Sequence, residues 1–201
     1  MRAGKGTLSE RSVLRVGRTT DGYVVRVAGR GSRHESPGLR TLAIAALDAS
    51  PEATFVIDLS PCEYLDSTFL GCLVGLHKQL NRGSSPRLLI DGSEEKLHRL
   101  FGPSGLDRIL PRRGFGGEHV SRWRTVPTAD LDPHELGLHL LRCHRELAGV
   151  GGPQADAFAA IADQLERELG GHPPPAPTSR RGPGSARPEP PLRGKGRAAL
   201  W

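Results

Sequence analysis

The sequence predicts a mixed α/β sandwich followed by a helical hairpin, and three observations predict it. Between residues 12 and 111, short β-rich runs alternate with segments of helical spacing, the pattern of a sheet covered by helices. The run Phe55-Val56-Ile57-Asp58-Leu59 is short and almost wholly apolar, the mark of a buried central strand. From residue 130 to 170 the apolar residues recur only at helical spacing.

The elements follow in order. Val13–Val16 and Tyr23–Val27 read as two strands joined by a turn at Thr20-Asp21-Gly22. Leu39, Leu42, Ala43, Ala46 and Leu47 recur at helical spacing after Ser36-Pro37, where Ser36 is expected as the cap and Pro37 as the first helical residue. The Phe55–Leu59 strand comes next. A longer helix is expected from Ser67 to Arg82, with Leu70, Leu73, Val74, His77 and Leu80 on one face. His77 is read as a core or boundary histidine. A strand at Arg87–Ile90, a helix carrying Leu97, Leu100 and Phe101, and a brief strand at Arg108–Leu110 complete the core, which ends near Pro111.

Residues 113–129 are expected to be a linker. Two further helical patterns follow, broken by Gly149-Val150-Gly151-Gly152-Pro153. Leu131, Leu136, Leu138, Leu141 and Leu147 mark the first; Phe158, Ile161, Ala162 and Leu165 mark the second. This hairpin, residues 130–170, must bury its stripe on the core or on a partner. Residues 1–9 are expected to be flexible. Residues 171–201, with eight prolines and five glycines, hold too little apolar surface to offset ordering entropy and are expected to be disordered.

Charge is informative only once located. The chain of 201 residues has 28 Lys+Arg, 22 Asp+Glu and a formal net charge of +6. Residues 171–201 contain six basic residues and a single acid, Glu189, so five of the six net charges lie there. The folded part is nearly neutral, which removes most support for a basic nucleic-acid-binding domain. The tail's one aromatic, Trp201, is too few for a stacking platform. No apolar run approaches the roughly 20 residues of a bilayer span, and the first residues lack an apolar signal region, so a cytoplasmic location is expected. Cys62, Cys72 and Cys143 are odd in number and irregularly spaced, as reduced buried thiols would be.

The chemistry-bearing stretch is residues 55–71. A buried strand leaves the sheet at Leu59, crosses a short loop and enters a helix through Asp66-Ser67-Thr68. Asp66 is placed to cap free N–H groups of the first turn. Ser67 and Thr68 then lie in that turn, with hydroxyls expected near the surface. A phosphate there would meet the positive end of the helix dipole and add about −1.5 to −2 charges beside Asp66.

This segment resembles the STAS domain, the sulfate-transporter and anti-sigma-factor-antagonist family. There a strand ending Asp-Leu-Ser leads through a hydrophobic-Asp-Ser-Ser/Thr-x-Leu-Gly turn into the second helix. Residues 55–71 match almost position by position, and Ser93–Leu106 matches the family's later helix-and-turn pattern. The resemblance implies a STAS-like sandwich over residues 10–112, with a mixed β-sheet and helices. In the antagonist branch the second hydroxyl of the triplet is phosphorylated by a partner kinase, which here implies Thr68, with Ser67 as the alternative. The implied partner surface is Gly31, Ser32, Asp66, Ser67, Thr68 and Phe69. Two departures stand out. Phe69 follows the acceptor where Gly is frequent, and the second strand ends Gly29-Arg30-Gly31-Ser32 in place of Gly-x-Leu-Asp.

The resemblance implies a bacterial, cytoplasmic regulator of transcription. When unphosphorylated it would bind an anti-sigma factor that is also a serine/threonine kinase. It would be a substrate of ATP chemistry, with no cofactor, no metal and no catalysis of its own. The sequence shows no P-loop, no G-x-S-x-G elbow and no HExxH. Glu135, His139 and Cys143 share a helix face at metal-ligand spacing but read as a partly solvated face with one buried thiol. The alternatives are a non-phosphorylated STAS scaffold, using the hairpin, or a ligand-sensing subunit of a larger assembly.

Overall fold

A computed structural model describes residues 13–81, 87–113, 120 and 122–171. The expectations for residues 1–9 and for the tail beyond Gly171 lie outside these, as does the helix end at Arg82.

Two antiparallel strands, β1 (Val13–Arg18) and β2 (Gly22–Gly31), open the fold. Helix α1 (Ser36–Ala49) leads to β3 (Thr54–Asp58), which pairs parallel with β2. A short β4 (Cys62–Leu65) pairs with the far end of β2, beyond an irregularity at Gly29/Arg30. Helix α2 (Ser67–Leu80), β5 (Leu88–Asp91) and α3 (Glu94–Phe101) follow. The path through the sheet runs β5-β3-β2-β1-β6, where β6 is Trp123–Thr125. Two helices complete the described chain, α4 (Pro133–Ala148) and α5 (Ala155–Gly170).

Strand alternation fixes which face is covered. Tyr23, Val25 and Val27 of β2 join Phe55 and Ile57 of β3 in the large core beneath α1 and α2. The opposite face carries a small cluster, Val24, Val56 and Leu89, with Trp123 packed against it. There Arg26 donates to Asp58 at 2.6 Å and lies over the Trp123 ring.

The structure corrects the sequence reading at four places. The segment at Arg108–Leu110 is not a strand: a 3-10 turn spans Leu106–Arg108, and only an isolated bridge, Ile90 to Arg112, touches the sheet. Gly105, at φ 71°, reverses the chain just before that turn. Strand β4 was not expected, because four residues with a Cys and a Glu carry no period. Strand β6 lies inside the expected linker and extends the sheet beside β1. Lastly, Ser36 is the first residue of α1 rather than its cap; Glu35 takes the cap position and the Ser36 hydroxyl is used elsewhere.

The hairpin forms a second helical layer. α4 packs along α2, and α5 packs on α4. Asp132 starts α4 with a reciprocal capping box, its carboxylate accepting from Glu135 N–H at 2.8 Å. The hairpin buries Leu141, Cys143, Leu147 and Phe158 within the chain, while Leu138 and Ile161 of its apolar stripe stay exposed.

Candidate functional site

The expected site is built at the start of α2. Asp66 leaves the sheet in extended conformation, its N–H donating to Gly31 carbonyl at 3.0 Å. One carboxylate oxygen accepts from Phe69 N–H at 2.8 Å, the N-cap bond the sequence led us to expect. The other accepts from Arg33 N–H at 2.8 Å. One side chain thus ties the helix start to the β2–α1 loop. That loop is held on its far side by Glu35, which accepts from Ser32 N–H at 2.9 Å and Ser32 Oγ–H at 2.6 Å. The Gly-Arg-Gly-Ser ending of β2 is therefore a fixed corner. At Gly31 an added Cβ would meet Leu65 and the Phe69 ring at 2.6 to 3.0 Å.

The six expected partner residues separate by exposure. Ser32, Asp66 and Ser67 are half-buried. Gly31 is buried but offers its carbonyl to Asp66. Phe69 is 0% exposed and belongs to the central core, so it presents no surface to a partner. Its ring lies beneath Gly31, where an added Cβ would come to 3.0 Å from it. Thr68 is 3% exposed, which corrects the expectation that both hydroxyls face solvent.

Helix α4 meets the site. Ser67 Oγ lies 3.1 Å from His144 Nε2, and Ser36 Oγ lies 2.8 Å from His139 Nε2. The two helix starts that frame the site are each met by an imidazole from one helix. His144 Nδ1 lies 2.8 Å from the Leu140 carbonyl, which can only accept, so Nδ1 carries the proton and Nε2 accepts from Ser67. His139 is buried, and burial, with Arg142 and Arg40 nearby, pulls its pKa down to about 4, against an opposing pull from Asp66. It is neutral at pH 7.

The face read as possible metal ligands is used otherwise. Glu135 belongs to the capping box, His139 faces Ser36, and Cys143 Sγ lies 3.6 Å from His139 Nε2. Burial raises the Cys62 thiol pKa, raises that of Cys72 far above the usual range, and pushes Cys143 up to about 12. All three cysteines are free and buried. His77 pairs with Asn81 at 2.7 Å and is held below its usual pKa by partial burial and by Lys78.

Sequence reasoning missed both histidines as parts of this site. His139 was weighed only as a ligand, and His144 carried no signal, because contacts across about 70 to 100 residues leave no local pattern. A cavity of about 320 Å³ opens beside Ser67, with Tyr64, Leu70, Arg99, Leu100 and Phe158 among its walls. Tyr64 is half-exposed there, with the Arg30 guanidinium over its ring.

A mixed sheet with helices on one face, and a capped helix start locked to a neighbouring loop, define an α/β module built around a fixed polar corner. The chain belongs to the STAS-domain family. The family profile described as "Mlab, STAS domain" matches residues 14–111. The anti-sigma-B factor antagonist of Listeria monocytogenes is 33% identical over 101 residues, half of this chain and 87% of that protein. The anti-sigma F factor antagonist of Paenibacillus polymyxa is 28% identical over 88 residues, 44% of this chain and 74% of that protein. An anti-sigma factor antagonist from Mycobacterium paratuberculosis, solved by crystallography, is 26% identical, with a TM-score of 0.42 over 49% of this chain and 82% of that one. These similarities cover about half of the chain. Among the described residues no helix is long and apolar enough to cross a membrane.

Proposed function

We propose that this protein is an anti-sigma-factor antagonist: a non-catalytic regulator that binds an anti-sigma factor through the β2–α1 corner and the start of α2. The supporting observation is Asp66, whose carboxylate caps α2 and holds the Arg33 loop in place, fixing the helix start that carries Ser67 and Thr68. In this reading the partner is a serine/threonine kinase in the cytoplasm of a bacterium, and phosphorylation of the Asp66-Ser67-Thr68 turn ends the complex. The acceptor is Thr68, with Ser67 as the alternative. Ser67 is the more accessible of the two, half-buried where Thr68 is buried. A phosphate at either position places up to two negative charges beside Asp66, where a partner surface matched to the neutral hydroxyl would hold them unpaired.

The scaffold reading loses part of its support, since Leu141 and Leu147 of the stripe offered for it are buried within the chain, while Leu138 stays exposed. The experiment is a pull-down from native cell extract with wild-type protein and with Ser67→Glu, identified by mass spectrometry. Recovery of an anti-sigma factor by the wild type, reduced with Ser67→Glu, is expected. Recovery of membrane-transport or assembly subunits by both, with no anti-sigma factor, would replace the reading.

A further inference from the structure

We infer that the α4–α5 hairpin is a built-in cover for the start of α2, which must lift before a protein partner or a kinase can reach that surface; the inference rests on the function proposed above. Four observations lead there. The stripe of α2 under α4 is Ser67, Gly71, Gly75 and Lys78, so the hairpin begins on the site itself. Ser67 meets His144, and Lys78 pairs with Glu146 at 2.7 Å.

Second, the approach is close and depends on one glycine. A Cβ at Gly71 would lie 2.1 Å from the Cys143 carbonyl oxygen and 2.6 Å from its carbon, both backbone atoms that cannot step aside. At Gly75 a Cβ would meet Glu146 Cγ at 3.5 Å, an ordinary contact. The cover is seated by surface fit along one stripe.

Third, the most deeply buried part of the core lies outside it. The largest fully buried side chains run from Leu39 to Phe101, and none belongs to α4 or α5. α5 gives the central core a single side chain, Phe158. Fourth, the seam holds polar pairs beside the apolar side chains of Cys143 and Leu147. Ser36–His139, Ser67–His144 and Lys78–Glu146 are groups that water can satisfy when the helices part.

Two arms test this on the full chain. In the first, Ser67→Cys is alkylated with iodoacetamide above the thiol's titration range, with folding checked by circular dichroism; the native thiols are buried. Adding Gly71→Ala, which forces the Cys143 backbone of α4 away from α2, is expected to speed alkylation at least tenfold. Lys78→Glu, facing Glu146 with like charge, gives a smaller rise without any backbone clash and serves if Gly71→Ala fails to fold. Equal rates in all folded variants overturn the cover. In the second arm, Gly75→Cys with Glu146→Cys closes a disulfide across the seam. With the anti-sigma factor recovered by the wild type as probe, binding should fall at least tenfold on oxidation and return on reduction. Equal binding in both states overturns the cover and leaves the proposed function standing. If no form recovers an anti-sigma factor, the functional reading fails and the alkylation rates alone decide the cover.

Discussion

Ser67 Oγ and His144 Nε2 lie 3.1 Å apart across 77 residues of sequence, joining the start of α2 to the middle of α4. The Leu140 carbonyl orients the ring, so the bond has a defined direction, from hydroxyl to imidazole. It places the hairpin against the one turn whose residues carry the resemblance to anti-sigma-factor antagonists. A double-mutant cycle on Ser67→Ala and His144→Ala is expected to give a coupling of about 1 kcal/mol in urea unfolding. Strict additivity would mean that the pair is incidental.

Asp66 should matter more than an ordinary cap, because its two oxygens serve two segments. Asp66→Ala is expected to destabilise by about 2 kcal/mol, the upper part of the range for lost caps, with a second N–H left unpaired at Arg33. Asp66→Asn keeps one acceptor oxygen and should cost less. Denaturant midpoints for the three proteins measure this directly.

The turn 66–68 also shows where sequence was sufficient and where it was not. The cap, the strand before it and the helix after it were legible, because each rests on neighbours within a few residues. The burial of Thr68 was not, since it depends on tertiary packing that leaves no local pattern. The same holds for β4 and β6, whose short segments become strands only because β2 and β1 offer free edges. Ser36 was read as a cap for the same reason: its true partner, His139, is 103 residues distant.

Burial changes what an acidic substitution at Thr68 does. Thr68→Glu would place a carboxylate where the side chain is 3% exposed. An unpaired buried charge costs several kcal/mol, so the variant should melt markedly lower or release the hairpin. Ser67→Glu, at a half-buried position on the dipole's positive end, should be tolerated better. Thermal melts of the two variants test the ordering.

His139 should give acid sensitivity. Its pKa is held near 4 in the folded protein by burial and by Arg142 and Arg40, with Asp66 opposing, against about 6.5 when unfolded. A lowered histidine pKa means that the unfolded chain binds the proton first. The neutral form's contribution is complete above pH 6.5 and is lost as pH falls from there toward 4. Cys143 and the Ser36 hydroxyl, the other groups facing the ring, stay uncharged through that window. His139→Gln should flatten the slope of melting temperature against pH over this range, while wild type declines.

Removing residues 128–201 takes away Leu141, Leu147 and Phe158 and exposes the Gly71 side of α2. The shortened chain should still fold, since its most buried side chains are intact, but at a lower melting temperature. An unchanged melting temperature would mean that the hairpin contributes nothing to the folded state.

The central claim is that the Asp66-Ser67-Thr68 turn is the regulated partner surface. The direct measurement is to incubate the full chain with ATP and the anti-sigma factor recovered by the wild type, map phosphopeptides, and compare binding before and after. The account predicts phosphate on Thr68 or Ser67, weakened binding by the modified protein, and retained binding with no modification in a Ser67→Ala, Thr68→Ala variant. Absence of phosphate anywhere in residues 55–75, with equal binding by wild type and the double variant, would contradict it.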